Sequence, residues 1–134
     1  MPNSGAREDA EEKNKHLLMD GASVFMFTMA AVPHCVNNLL DMARLRLTDI
    51  DVFVFHQASK VVLDDIVRNL KLPPAKVIRD LETIGNTVSA TIPIALRRAA
   101  DIGKIIPGHL VMLIGFGVGY SWGACLVRWD SARL

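Results

Sequence analysis

Apolar positions along this chain follow two different periods. Between residues 21 and about 45 they recur at three- and four-residue spacing, at Val24, Phe25, Thr28, Val32, Cys35, Val36, Leu39 and Met42, which predicts a long helix. Pro33 falls inside it and predicts a bend or break, because its ring supplies no N–H to the preceding turn. The polar run RLTDID then leads into Val52-Phe53-Val54-Phe55, four β-branched or aromatic residues that read as a strand. Helical spacing returns from Ser59, a capping residue, to about Leu70, with Asp64 and Asp65 placed toward solvent. Leu72-Pro73-Pro74 ends that helix, since proline disfavours helical geometry in the residue before it.

Residues 75–87, AKVIRDLETIGNT, read as a short helical or extended piece closing on Gly85-Asn86-Thr87. A third helix is expected over about 89–102, with Pro93 in its first turn. GKIIPGH punctuates the chain as a turn, and two strands, about 109–114 and 120–129, flank the glycine run GFGVG. Residues 110–127 carry no charge over 18 positions, roughly the minimum for a membrane-spanning helix. Four glycines (115, 117, 119 and 123) argue against a helix there, so two strands around a glycine turn are expected and no membrane span. The order helix, strand, helix, helix, strand, strand predicts an α/β layered domain, a mixed sheet covered by helices and closed by an antiparallel pair.

Composition narrows this picture only in places. A chain of 134 residues suits one domain, and 51% apolar content is high for its size. Either the sheet is covered on both sides or part of the surface lies against another domain. A net charge of +1, with no basic cluster beyond Arg97-Arg98, gives no push toward nucleic acid. Cys35 and Cys125 form no CxxC, so neither a disulfide scaffold nor a zinc site is expected, and a reducing, cytoplasmic compartment fits. Residues 1–17 are polar, mixed in charge and without an apolar core, and read as a flexible arm or linker remnant rather than a signal peptide.

Three clusters could carry chemistry. His56-Gln57-Ala58 ends the VFVF strand, where ligands bind in α/β sheets; the plainer reading is a core histidine satisfied by a backbone carbonyl. Gly85-Asn86-Thr87 precedes a helix and reads either as a turn with a helix cap or as the mount for a neutral amide donor. GFGVGYSWG (115–123) reads either as a tight hairpin with bulges or as a glycine-lined backbone whose amides can face an anion. Tyr120 stands where a dinucleotide fingerprint needs its third glycine. Taken together, a neutral His, a neutral Asn and a glycine-lined backbone suit polarising a carbonyl and holding an enolate. His16, His34, His56 and His109 share no metal-ligand spacing, and no GxSxG nucleophile elbow is present.

The words MDGASVF (19–25), HQAS (56–59), GNTVSATIPIAL (85–96) and PGHLVMLIGFGVGYSWGACLV (107–127) occur in this order, with thirty residues from His56 to Asn86. Together they resemble the C-terminal region of a β-ketoacyl-acyl carrier protein synthase III, a thiolase-fold condensing enzyme, over residues 18–129. The resemblance implies a thiolase-like layered fold of which residues 18–134 are the C-terminal half. It implies a Cys-His-Asn triad in which a cysteine takes an acyl group from acyl-CoA. His56 and Asn86 would then hydrogen-bond the thioester carbonyl of malonyl-acyl carrier protein as it decarboxylates. Val118, between Gly117 and Gly119, would offer a backbone amide to an oxyanion, and Gln57, Ala58 and Phe116 would line the substrate. No cofactor is implied, the substrates being acyl-CoA and malonyl carried on phosphopantetheine. The implied partners are the N-terminal half of the synthase, acyl carrier protein and further copies in a homo- or hetero-oligomer.

This chain departs from the family at three points. The nucleophilic cysteine belongs to the N-terminal half, and Cys35 and Cys125 read as small buried apolar residues. Val118 replaces a glycine, and Ser59 an asparagine. Two other readings stand beside an acyltransferase half: a non-catalytic structural subunit or fragment of such an enzyme, and a chalcone-synthase-like polyketide condenser.

Overall fold

The computed structural model describes residues 20–130, so the expected arm at 1–17, His16, Leu18, Met19 and residues 131–134 lie outside the described residues. The first element is helix α1, Gly21–Ala43. Asp20 caps it, its carboxylate accepting from the Ser23 amide at 3.1 Å and the Ser23 hydroxyl at 2.6 Å. The helix runs unbroken through Pro33, at the cost of the backbone bond that residue would have made. Its buried stripe is Thr28, Val32, Val36 and Leu40, spaced by four. Met42, expected on that stripe, is 84% exposed, because the buried face follows Leu40 past the C-terminal turn. By length and composition α1 is apolar enough to cross a bilayer; here its stripe packs on the sheet and on the second helix.

Strand β1, Val52–Phe55, is buried at all four positions, and the alternation of a strand explains why. Phe53 and Phe55 face one layer with Val32, Val36, Leu63 and Ile66, while Val52 and Val54 face the other with Ile78, Ala95 and Ala99. Helix α2, Lys60–Asn69, follows, capped by Ser59, whose hydroxyl accepts from the Val62 amide at 3.3 Å. Asp64 and Asp65 are only partly exposed, because each is drawn into ion pairs, Asp64 with Lys60 and Arg79 and Asp65 with Arg68.

The segment read as helical or extended is both. A 3₁₀ turn at Pro74–Lys76 leads to a single parallel bridge of Val77 on Phe53, then to a one-turn helix α3, Leu81–Ile84. A further 3₁₀ turn, Val88–Ala90, opens helix α4, Thr91–Asp101, so the expected third helix begins two residues later than its pattern suggests.

Strands β2, Leu110–Gly117, and β3, Ser121–Arg128, complete a three-stranded sheet ordered β1-β2-β3. β1 and β2 are parallel, β2 and β3 antiparallel, as a mixed sheet closed by an antiparallel pair requires. Residues 110–127 are therefore two strands, not a span. The hairpin differs from its expected form in one respect. Gly115 and Gly117 lie within β2, paired with Gly123 and Ser121, and the register runs without a bulge. Only Val118-Gly119-Tyr120 turns, and Gly119 supplies the positive φ, +132°, that the turn needs.

Candidate active site

β2 outruns β1 at the carboxyl end of the parallel pair, and the site forms in the step between them. The His56 amide donates to the Ile114 carbonyl at 2.8 Å, so the residue after β1 is still held by the ladder. The Ala58 amide donates back to the His56 carbonyl at 3.0 Å, which folds HQA into a tight corner. Beneath it lies Gln57, 2% exposed. Its Nε2 donates to the Phe55 carbonyl at 2.8 Å, and its Oε1 accepts from the Asp80 amide at 3.0 Å. That amide staples the strand end to the neighbouring segment, a positioning task beneath the site.

The His56 ring is half-buried and lies edge-on to Phe116, with ring centroids 5.4 Å apart. Its Nδ1 meets the Thr91 hydroxyl at 2.5 Å, not a backbone carbonyl. Burial pushes its pKa below the ordinary histidine value, which favours the neutral ring. Thr91 was not singled out by its sequence neighbourhood. It is buried at the start of α4 on the stripe Thr91, Ala95, Ala99, and a hydroxyl on an otherwise small apolar stripe is the signal that marks it.

Asn86 stands exposed on the loop before α4. Its Oδ1 accepts from the Val88 amide at 2.8 Å, which closes the turn. Its Nδ2 donates to the Ala58 carbonyl at 3.3 Å. Because an amide nitrogen carries two hydrogens, one donor remains for another acceptor. The HQA corner and the GNT loop, separated by 28 residues between Ala58 and Asn86, are thus tied together by this bond. Gly85 begins the loop with φ +74°.

Phe116 reaches the site through its ring, and Gly117 ends β2 beside it. Val118 and Gly119 lie in the exposed turn beyond. Tyr120 and Trp122 leave the turn to meet Phe27 of α1, stacked at 4.4 Å and edge-on at 5.4 Å. Neither cysteine joins this group. Cys35 is half-buried on α1, and burial raises its thiol pKa. Cys125, expected to be a buried residue, is exposed, because it lies on the edge strand β3, most of whose positions are open to solvent. Among the described residues no three His, Cys, Asp or Glu side chains gather as metal ligands.

Helices on both faces of a mixed sheet, with a histidine at the carboxyl end of its first strand and an asparagine loop tied beside it, form part of a thiolase-like layered fold, the fold of the solved structures this chain superposes on. The family described as 3-oxoacyl-[acyl-carrier-protein (ACP)] synthase III C terminal matches residues 40–129, and the chain belongs to it. Beta-ketoacyl-[acyl-carrier-protein] synthase III of Microcystis aeruginosa is 43% identical over 117 residues, covering 87% of this chain and 35% of the relative. The chloroplastic enzyme of Arabidopsis thaliana is 40% identical over 111 residues, 83% of this chain and 28% of its own length. A crystal structure of a 3-oxoacyl-(acyl-carrier-protein) synthase III superposes with a TM-score of 0.83 at 44% identity, covering 85% of this chain and 34% of that one. The Thermus thermophilus synthase III also gives 0.83, at 36% identity, covering 87% and 36%. The chain spans about a third of the length of these relatives.

Proposed function

We propose that this chain is the C-terminal catalytic half of a 3-oxoacyl-[acyl-carrier-protein] synthase III-type acyltransferase. In this reading it acts in the cytoplasm and catalyses decarboxylative condensation of acyl-CoA with malonyl-acyl carrier protein. The observation that carries it is the tie between the two donor-bearing segments, Asn86 Nδ2 to the Ala58 carbonyl, two residues from His56. A nucleophilic cysteine on the N-terminal half takes the acyl group as a thioester and releases coenzyme A. The malonyl thioester then binds with its carbonyl oxygen against a His56 ring N–H and the free Asn86 N–H. As the carboxylate leaves as carbon dioxide, its bonding electrons form an enolate whose oxygen these donors stabilise. The enolate carbon attacks the acyl thioester, and collapse of the adduct returns the cysteine thiolate. Neutral donors suffice, because decarboxylation itself generates the carbanion and no proton need be abstracted.

The turn amide of Val118 serves the oxyanion of the adduct, with Gly117 and Gly119 shaping its approach. Phe116 and Ala58 wall the site, and Gln57 holds its floor. No resident cofactor takes part; the partners are the N-terminal half, acyl carrier protein and further copies in an oligomer.

Assembled with a cysteine-bearing N-terminal half, the chain is expected to support condensation. His56→Ala and Asn86→Ala should each lower kcat by about 10²–10³, the usual loss for one oxyanion donor. Unchanged rates in both variants would leave the chain a structural subunit. The chain alone should form no acyl-enzyme from radiolabelled acyl-CoA; labelling of Cys35 or Cys125 coupled to condensation would overturn the division of labour.

A further inference from the structure

The two donor-bearing segments need a firmer fastening than the bond between them supplies. Asn86 Nδ2 lies 3.3 Å from the Ala58 carbonyl, beyond the usual N–H···O range of about 2.7–3.2 Å. A bond that long sets the distance between His56 and Asn86 only loosely. Residues 77–80 run beside β1 on the side away from β2 and connect the same two segments from behind. The Ile78 amide donates to the Phe53 carbonyl at 3.0 Å. The Asp80 amide donates to Gln57 Oε1 at 3.0 Å, one residue from His56. The Asp80 carbonyl accepts from the Thr83 and Ile84 amides at 3.2 and 3.1 Å and starts α3, whose Leu81 carbonyl accepts from Gly85 at 2.8 Å. Asn86 is the next residue. The peptide groups of Asp80 thus serve the His56 corner through the N–H and the Asn86 loop through the C=O.

The side chain shows what holds Asp80 itself. An aspartate at a helix N-cap ordinarily turns its carboxylate onto the helix's own amides. Asp80 caps α3 in position only and makes no such bond. Its carboxylate faces α4 instead, where Arg98 Nε donates to Oδ1 at 3.0 Å and lies 2.9 Å from Oδ2. The Asp80 side chain is 12% exposed, so loss of Arg98 would strand a mostly buried carboxylate. The preceding residue is held from the other face: Arg79 pairs with Asp64 of α2 at 2.7 Å, both side chains being about a third exposed. α2 and α4 cover opposite faces of the sheet, so the segment is gripped from both sides, and the buried grip is that of Asp80.

We propose that Asp80, gripped by Arg98, is a positioning residue that fixes the His56 corner and the Asn86 loop at one separation. Because the fixing passes through the backbone of Asp80, neither charged group need approach the reacting atoms. The catalytic meaning rests on the proposed function; the fixing of Asn86 does not. The more exposed Arg79–Asp64 pair, one residue away, supplies the comparison, since it pins the same segment with little burial.

The first test reads Asn86 directly. In ¹⁵N–¹H spectra of the full chain, its side-chain amide pair is assigned by its loss in Asn86→Ala. Asp80→Asn and Arg98→Gln should each shift that pair, while Arg79→Gln should leave it in place. In the assembled enzyme, Asp80→Asn and Arg98→Gln should each lower kcat about ten- to a hundredfold with KM little changed, the cost of misplaced groups. The double variant should lose no more than either single one, and Arg98→Lys, which keeps the charge, should recover part of the rate. Circular dichroism confirms that each variant is folded; Arg98→Gln, altered at the more exposed partner, carries the test should Asp80→Asn not fold. Asn86 signals unmoved in a folded Asp80→Asn or Arg98→Gln, or moved equally by Arg79→Gln, would overturn the proposal. Should these signals respond as expected while His56→Ala leaves condensation intact, the proposed function fails and the role of Asp80 stands. Should His56→Ala abolish turnover while folded Asp80→Asn and Arg98→Gln keep the wild-type kcat, the function stands and the positioning role fails.

Discussion

His56 concentrates the consequences of burial in one side chain. An unfolded chain carries an ordinary imidazole that titrates at about pH 6.5, whereas burial lowers the value in the folded protein. Between the two values the unfolded state binds more protons, so stability rises with pH across that window and is lost as pH falls through it. Urea titrations at about pH 7.5 and about pH 5.5 should therefore show a larger loss of midpoint for the wild type than for His56→Gln. Equal losses would remove the burial effect from this residue. The carboxylates act in a separate range. Hydrogen bonds from Ser23 lower Asp20, from Arg46 lower Asp49, and from Lys60 and Arg79 lower Asp64. Their contributions are present above the ordinary carboxylate range and lost only as pH falls through it, below about 4. At the same scale, His56 and Asn86 were legible because a titratable ring after VFVF and an amide in a glycine turn break local pattern. Thr91 was not, because its partner lies 35 residues away and meets it only when α4 packs under the sheet.

Elements were legible where one physical preference dominated. VFVF formed a strand over its expected residues because both faces are covered, Phe53 and Phe55 by α1 and α2, Val52 and Val54 by α4. The glycine run was harder, because glycine signals a turn and a closely packed strand alike. Cross-strand pairing of Gly115 with Gly123 and Phe116 with Trp122 decided for the strand. The loop before α4 carries the clearest backbone strain. Val88 has φ +56°, a region costly for a β-branched residue, and its side chain is 74% exposed. Asn86 Oδ1 pulls on the Val88 amide and helps hold that conformation. Val88→Gly removes the strain and forfeits little packing, against the entropy glycine adds to the unfolded chain. The net expectation is a gain of about 1 kcal/mol, read as a higher urea midpoint with an unchanged slope. A lower midpoint would show that the Val88 side chain contributes more than its exposure suggests.

For the whole molecule, the high apolar fraction allowed two explanations, a covered sheet or a surface that lies against something else, and the sheet is covered only in part. β1 and most of β2 are covered, whereas β3 forms an edge of the sheet with most of its residues exposed. Beside that edge, Val118, Tyr120 and Trp122 are exposed, and Met26 and Met42 stand exposed on α1. An edge strand offers unpaired backbone groups, and aromatic side chains next to it add an apolar surface, the combination that drives edge-to-edge association. The chain by itself is therefore expected to self-associate. Light scattering should give an apparent mass that climbs with concentration above the 14.7 kDa of one chain. Trp122→Lys, which sets a charge on β3, should lower that mass, and supplying an N-terminal half should suppress the climb more strongly. A stable monomer at all concentrations would mean that α1 and the turn already satisfy this edge. It would also remove this edge as the surface on which the proposed N-terminal half assembles.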